Sequence, residues 1–464
     1  MASRFDDGPC PVPLPKGEKA RCGYLTVPEN RDRSNSKTIR LPIIVLKSSD
    51  PDPLPDPVLR TFGGPGASSM NLVRSRNSSP WLKKRDLIIF EQRGTRYAEP
   101  SLNCPEVKET NVSSAKAHLS SADARRDEIR AAKRCYDRLT ALGIDLSAYN
   151  SRESAADIED LRRALGIEKI NLWGLSYSSR LMLEVMRDHP DGIRSVVLES
   201  TLPPEINYDE VGVDAIVRTF ETVFTECRHE PDCARKYPRL ENEFYAAYAK
   251  LNRDPITVGV KGSSIGETVR LDGKDLVDWL VDYLLSDSAS SVVEVPLAIH
   301  NIAAGNYERF KTYASSKTDT GESGTGMRYS VWCGEEFPFE NIKKIRQQSL
   351  VHNRLRGYEV MTLPFICSTW TVKHAKAVEN LPVKSTIPTM VITAQYDAYT
   401  PAAWGERVAR NLPHSFLYQV PWTGHGPAFS VPCLGNMITD FFDRPTVAPR
   451  SECLNDLRKK FKFV

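Results

Sequence analysis

The sequence predicts an α/β protein, with a mostly parallel central sheet carried by two stretches of chain and a helical lid inserted between them. Strand and helix patterns alternate from Ser154 to Ser200, and the rhythm returns after Ile387 in PTMVITAQYD, AAWGERVARNL and SFLYQVPWTGHG. Alternation at this spacing implies parallel strands joined by right-handed crossovers. Between Leu202 and Val383 the alternation is lost, and DAIVRTFETVFTEC and KDLVDWLVDYLLS read as helices. The expected division is a core over 20–201, a cap over 202–383, a second part of the core over 384–445 and a tail over 446–464.

Four β-like segments come first: Gly23 to Pro28, Thr38 to Lys47, Val58 to Phe62 and Asp86 to Phe90. TIRLPIIVLK and DLIIF are apolar runs of strand length between polar flanks, and SDPDPLPDP is a Pro/Asp connector. A helix is expected from Ser154, with Ala155, Ile158, Leu161 and Leu165 on one face and Gly166 just past its end. IEKINLWG follows as a buried strand, then a helix with Met182, Val185 and Met186 on one face, then the strand IRSVVLES. Inside the cap, SSKTDTGESGTG predicts a mobile loop, and the tail ending RKKFKF predicts a solvated surface segment.

With 464 residues, 41% hydrophobic and 26% charged, the chain is an ordinary globular protein able to bury a large core. A net charge of +3, from 62 basic and 59 acidic residues, supplies no field to attract nucleic acid or an anionic membrane. No nucleic-acid partner is expected. There is also no run of about 18 apolar residues, so no membrane span is expected. The ten cysteines fall in neighbouring couples: Cys10 and Cys22, Cys104 and Cys135, Cys227 and Cys233, Cys333 and Cys367, Cys433 and Cys453. An even number without metal-ligand spacing favours disulfides and an oxidising compartment, although spacing alone leaves the connectivity open. The opening MASRFDDGPCPVP lacks the charged and apolar regions of a signal peptide. A secreted or periplasmic location is expected, with the leader absent from this chain.

At a strand-to-helix junction stands Gly174-Leu175-Ser176-Tyr177-Ser178. A nucleophilic serine on such a sharp turn needs small residues two before and two after it, because the strand and helix backbones nearly touch. The serine also needs a base, and the base needs an acid to orient it. Asp397 follows the strand MVITAQY and His425 follows FLYQVPW, the chain order expected for this architecture. The other histidines lie in helical or irregular segments, at a helix end or before a strand. An oxyanion hole requires two backbone N–H groups. Tyr177 is expected to supply one and Gly64, in Phe62-Gly63-Gly64-Pro65-Gly66, the other.

Together with Glu91-Gln92-Arg93-Gly94, these elements resemble the prolyl aminopeptidase and tripeptidyl-aminopeptidase branch of the α/β hydrolases. That branch carries GGPG, a D-Q-R-G-x-G-x-S segment, G-x-S-Y-G, Y-D-x-x-T-P and G-H-G. Here they read FGGPGASS, EQRGTRYAEPSLNC, GLSYSS, QYDAYTP and GHG. Cys433 and Cys453 also look like the C-terminal couple of secreted members. The resemblance implies an α/β-hydrolase fold with a cap and a serine hydrolase acting through an acyl-enzyme on a small peptide, with no cofactor and no metal. Phe62, Glu91, Arg96, Ala98 and Ser178 depart from the branch's usual residues. Arg93 is expected to be a scaffold residue bridging backbone carbonyls. Cap carboxylates bind the substrate's α-amino group in relatives, and Glu335 and Glu336 in CGEEF are the candidates here. The expected activity is removal of an N-terminal proline or short peptide. The rivals are an esterase or lactonase on small or polymeric esters, and a non-catalytic binding protein on the same fold.

Overall fold

The computed structural model describes residues 3–78, 80–260, 267–285, 289–318, 323–359 and 363–464. Nine strands form the central sheet: β1 (Arg4–Asp7), β2 (Ala20–Pro28), β3 (Thr38–Leu46), β4 (Val58–Thr61), β5 (Leu87–Phe90), β6 (Ile170–Leu175), β7 (Ile193–Glu199), β10 (Thr389–Ala394) and β11 (Ser415–Val420). A separate hairpin, β8 (Ile256–Gly259) with β9 (Thr268–Leu271), lies in the inserted region. The sheet order is β1-β2-β3-β5-β4-β6-β7-β10-β11. The pairs from β1 through β3 to β5 are antiparallel, and all pairs from β5 to β11 are parallel. β1 had no counterpart among the expected strands. The chain runs one way from β4 to β5 and the other way from β6 onward, so the direction of winding reverses between β4 and β6. Open α/β sheets bind ligands at the carboxyl ends of strands at such a reversal.

Alternate residues of the parallel strands feed two layers. Leu172, Val196 and Val391 pack on Ile158 and Leu161 of α3 (Ser151–Ala164) and on Leu181 and Met182 of α4 (Tyr177–Asp188). Their strand neighbours Trp173, Val197 and Met390 pack on Leu434, Ile438 and Phe441 of the helix Pro432–Asp443. Helix α3 starts one turn-fraction before its expected Ser154, because the Asn150 side chain accepts the Glu153 N–H and caps it.

The inserted region is mainly helical and has its own apolar cluster, including Phe220, Phe224, Phe244, Val277 and Leu280. A second cluster joins α1 (Pro105–Lys116) and α2 (Ser121–Ala141) to Met327, Trp332 and Trp370 of the insertion. Of the expected mobile loop, 315–318 end a 3-10 helix, Phe310–Thr318, and 319–322 lie outside the described residues. The tail is solvated on its charged side, where Arg458, Lys459, Lys460 and Lys462 are exposed, but it is also structured and docked. It forms the helix Glu452–Lys460, and Phe463, 5% exposed, packs edge-on against Trp422 and Tyr396. The ten cysteines pair as the five neighbouring couples. No helix among the described residues is long and apolar enough to cross a membrane.

Candidate active site

β6 delivers Ser176 to the sheet's carboxyl edge with φ +61° and ψ −130°, a conformation that L side chains rarely adopt. Crowding explains the sequence around it. A Cβ on Gly174 would fall 2.3 Å from the Ser178 carbonyl, and one on Gly63 would fall 2.8 Å from Ser176 Cβ and 3.0 Å from Tyr177 N. The Phe62-Gly63-Gly64 turn after β4 is therefore seated directly on the elbow. Ser178 compensates for replacing a glycine: its Oγ accepts the Leu175 N–H at 2.8 Å and donates to the Thr61 carbonyl at 2.9 Å. The substituted residue thus ties the elbow to β4.

The turn itself is held from below by the Glu91-Gln92-Arg93 segment after β5. Buried Glu91 accepts the Ser69 N–H at 2.7 Å, and Gln92 Nε2 donates to the Phe62 carbonyl at 2.7 Å. Arg93 is fully buried and donates to the carbonyls of Glu29 and Ala148 and to both oxygens of Asp157. Its role is the scaffold expected of it.

Asp397, after β10, and His425, after β11, meet through His425 Nδ1, 2.9 Å from Asp397 Oδ2. Asp397 Oδ1 accepts the N–H groups of Tyr399 and Thr400, and the Thr400 hydroxyl donates to Oδ2 at 2.8 Å. Burial would raise the Asp397 carboxyl, but His425 and these donors hold it below the usual carboxylate range. Burial would likewise lower His425, and the Asp397 carboxylate outweighs it, leaving the imidazole above the ordinary histidine value. Gly426, next to His425, lies against the Leu175 side chain, so the histidine loop borders the elbow. Thr400 went unnoticed in the sequence, although its spacing in DAYT signals a carboxylate held by its own following turn.

Residues 58–239 match the family model described as alpha/beta hydrolase fold, and residues 354–453 match the model described as TAP-like protein. The chain is an α/β hydrolase. Serine protease Hip1 of Mycobacterium tuberculosis is 22% identical over 477 residues, covering 94% of this chain and 87% of that protein. The tripeptidyl aminopeptidase of Streptomyces lividans is 29% identical over 203 residues, covering 41% of this chain and 36% of its own. A solved structure of proline iminopeptidase from Mycobacterium smegmatis is 15% identical, with a TM-score of 0.42 and coverage of 91% of this chain and 98% of its own.

In this hydrolase the inserted region meets the elbow through charge. The π-helical turn Trp332–Glu336 carries Glu335 and Glu336, only 2% and 1% exposed. Glu336 pairs with Arg180 of α4 and accepts the Tyr208 N–H. Glu335 accepts both the N–H and the hydroxyl of Ser151 at the start of α3, and the same hydroxyl bonds to Tyr177 Oη at 2.8 Å. Burial pushes the Glu335 carboxyl up, against the pull of Arg180 and Ser151. Both carboxylates are thus already engaged by the protein. A cleft of about 1050 Å³ opens at Gly64-Pro65-Gly66-Ala67 and runs past Arg328, Tyr329 and Tyr313 of the insertion. Glu335 and Glu336 do not line it.

Proposed function

We propose that this hydrolase is a serine exo-aminopeptidase that releases an N-terminal proline or short peptide through an acyl-enzyme. The observation that carries the reading is the His425–Asp397 pair at the strand ends beside a serine held at φ +61° on the β6–α4 turn. In the proposed reaction Ser176 Oγ attacks the scissile carbonyl while His425 Nε2 takes its proton and Asp397 orients the imidazole. The N–H groups of Tyr177 and Gly64 hold the oxyanion. His425 then gives the proton to the departing amine, and a water molecule repeats the sequence to free the acyl product.

Recognition of a free amino terminus needs a carboxylate not already spoken for. An ammonium reaching Glu335 or Glu336 has to displace Arg180 or Ser151, which counts against either as the amine site. The cap helix Gly273–Leu285 offers a better candidate in Asp282. Its end is pressed on the histidine loop, the Leu284 carbonyl leaving no room for a Cβ at Gly424. Burial raises the phenol of Tyr399, and Asp282 and Asp278, one turn apart on this helix, raise it further; the Tyr399 ring stands perpendicular to His425 at 6.1 Å. Asp278 is engaged by the Tyr358 hydroxyl and Lys274. Asp282 is open to solvent, and partial desolvation with the neighbouring Asp278 pushes its carboxyl up to about 6, so a cation beside it relieves the repulsion between the two carboxylates.

The test compares free and N-acetylated peptide anilides and simple esters. The reading predicts turnover of free peptides, with acetylation abolishing it. Asp282→Asn is expected to raise KM for free peptides about tenfold while leaving kcat little changed, the cost of one charge-assisted contact. Turnover indifferent to acetylation, or confined to esters, assigns the site to the esterase class instead.

A further inference from the structure

We propose that Glu199 is a positioning residue for this reaction, a second buried carboxylate that fixes the His425 loop and supplies negative charge behind the imidazole. The inference rests on the assignment of Ser176 and His425 above. Glu199 is the last residue of β7, the strand between those that carry the serine and Asp397. Its main-chain carbonyl accepts the Ser176 N–H at 3.0 Å. Its Oε1 accepts the Ala428 N–H at 2.7 Å, three residues past His425, and its Oε2 accepts Trp173 Nε1–H at 2.9 Å. The next residue, Ser200, accepts the Gly426 N–H at 3.0 Å through its hydroxyl. One strand end therefore grips the nucleophile by its backbone and the base's loop by two side chains.

The charge at this position is deliberate in physical terms, because a fully buried carboxylate needs a reason to stay ionised. Burial raises the Glu199 carboxyl above its ordinary value, against the pull of Arg60 and of the Ala428 and Trp173 N–H donors on its two oxygens, which favour the charged form. Arg60 supplies the counter-charge, its Nη2 3.9 Å from Oε2, with the guanidinium over the rings of Trp173 and Phe429 at 3.8 and 4.5 Å. Arg60 Nη2 has no hydrogen-bond partner among the described residues, so it faces Glu199 through charge. Around His425 the other relevant groups are Asp397, Thr400 and Tyr399, with Asp278, Asp282 and Arg328 acting on Tyr399. Glu199 adds to Asp397 in raising the imidazole's proton affinity. The imidazolium formed as Ser176 attacks thus has two anions to stabilise it.

The experiment is the pH dependence of Ser176 labelling by a fluorophosphonate in the full-length protein, scaled to the folded fraction. Glu199→Gln removes the charge, and its ascending limb is expected to move down by about half a pH unit or more, with a limiting rate about tenfold lower. Glu199→Asp keeps the charge and shortens the reach to Ala428, so its rate is expected to fall with the limb unmoved. A limb unmoved in Glu199→Gln, or moved equally in both variants, overturns the proposal. Wild-type protein that does not label at Ser176 overturns the serine assignment instead, which separates the two failures.

Discussion

Ser178 stands where a glycine is usual after such a nucleophile, and its hydroxyl makes the difference productive by bonding both β6 and β4. Ser178→Gly leaves the Leu175 N–H without its acceptor inside the core. It is expected to cost about 1–3 kcal/mol in denaturant unfolding while changing kcat/KM only a few-fold. His425 sets the pH response of the proposed reaction. Only the neutral imidazole can take the serine proton, and Asp397 raises its affinity for that proton. The rise of kcat/KM with pH is therefore expected to have its midpoint above the ordinary histidine value of about 6.5. A midpoint below that value contradicts the pairing. Residues of this kind were legible in the sequence, because an elbow serine, a strand-end aspartate and a strand-end histidine each need one residue type at one place in a motif. Glu199 was not. Its neighbours Arg60, Trp173 and Ala428 come from three other segments, and nothing local to VVLES marks the glutamate as holding the loop after His425.

The contact between the π-helical turn Trp332–Glu336 and the starts of α3 and α4 shows what an element-level reading misses. CGEEF reads as an acidic segment open to substrate, whereas the fold turns it inward so that Arg180 and Ser151 meet both carboxylates. Arg180→Met leaves two buried anions with no cation, and urea unfolding is expected to show a loss of about 3–5 kcal/mol. The strands and α4 were legible from period and apolar content. The hairpin β8–β9 and the 3-10 helix Phe310–Thr318 were not, being short pieces whose geometry is set by packing on the cap's own core. The start of α3 was misplaced because Asn150 was not recognised as its cap.

At the scale of the whole molecule, five short-range disulfides each staple neighbouring segments, three outside the inserted region and two within it, and the docked tail joins the sheet to the inserted region. The Cys104–Cys135 bridge closes 31 residues across α1 and α2, and replacing both cysteines by serine is expected to lower stability by about 3–4 kcal/mol, read as a fall in Tm. Phe463 links Trp422 of the histidine loop's strand end to the cap core. Phe463→Ala is expected to cost a further 3–5 kcal/mol or about that, as for other buried aromatics. Among lysines at the end of the chain this phenylalanine reads as solvated, because the surfaces that bury it lie far away in sequence. The proposed chemistry requires above all that Ser176 be the nucleophile activated by His425. Intact and peptide-level mass spectrometry after fluorophosphonate treatment tests it directly. One adduct on the peptide containing Ser176, lost in His425→Ala, is the predicted result, and an unmodified Ser176 or an adduct mapped to another residue contradicts it.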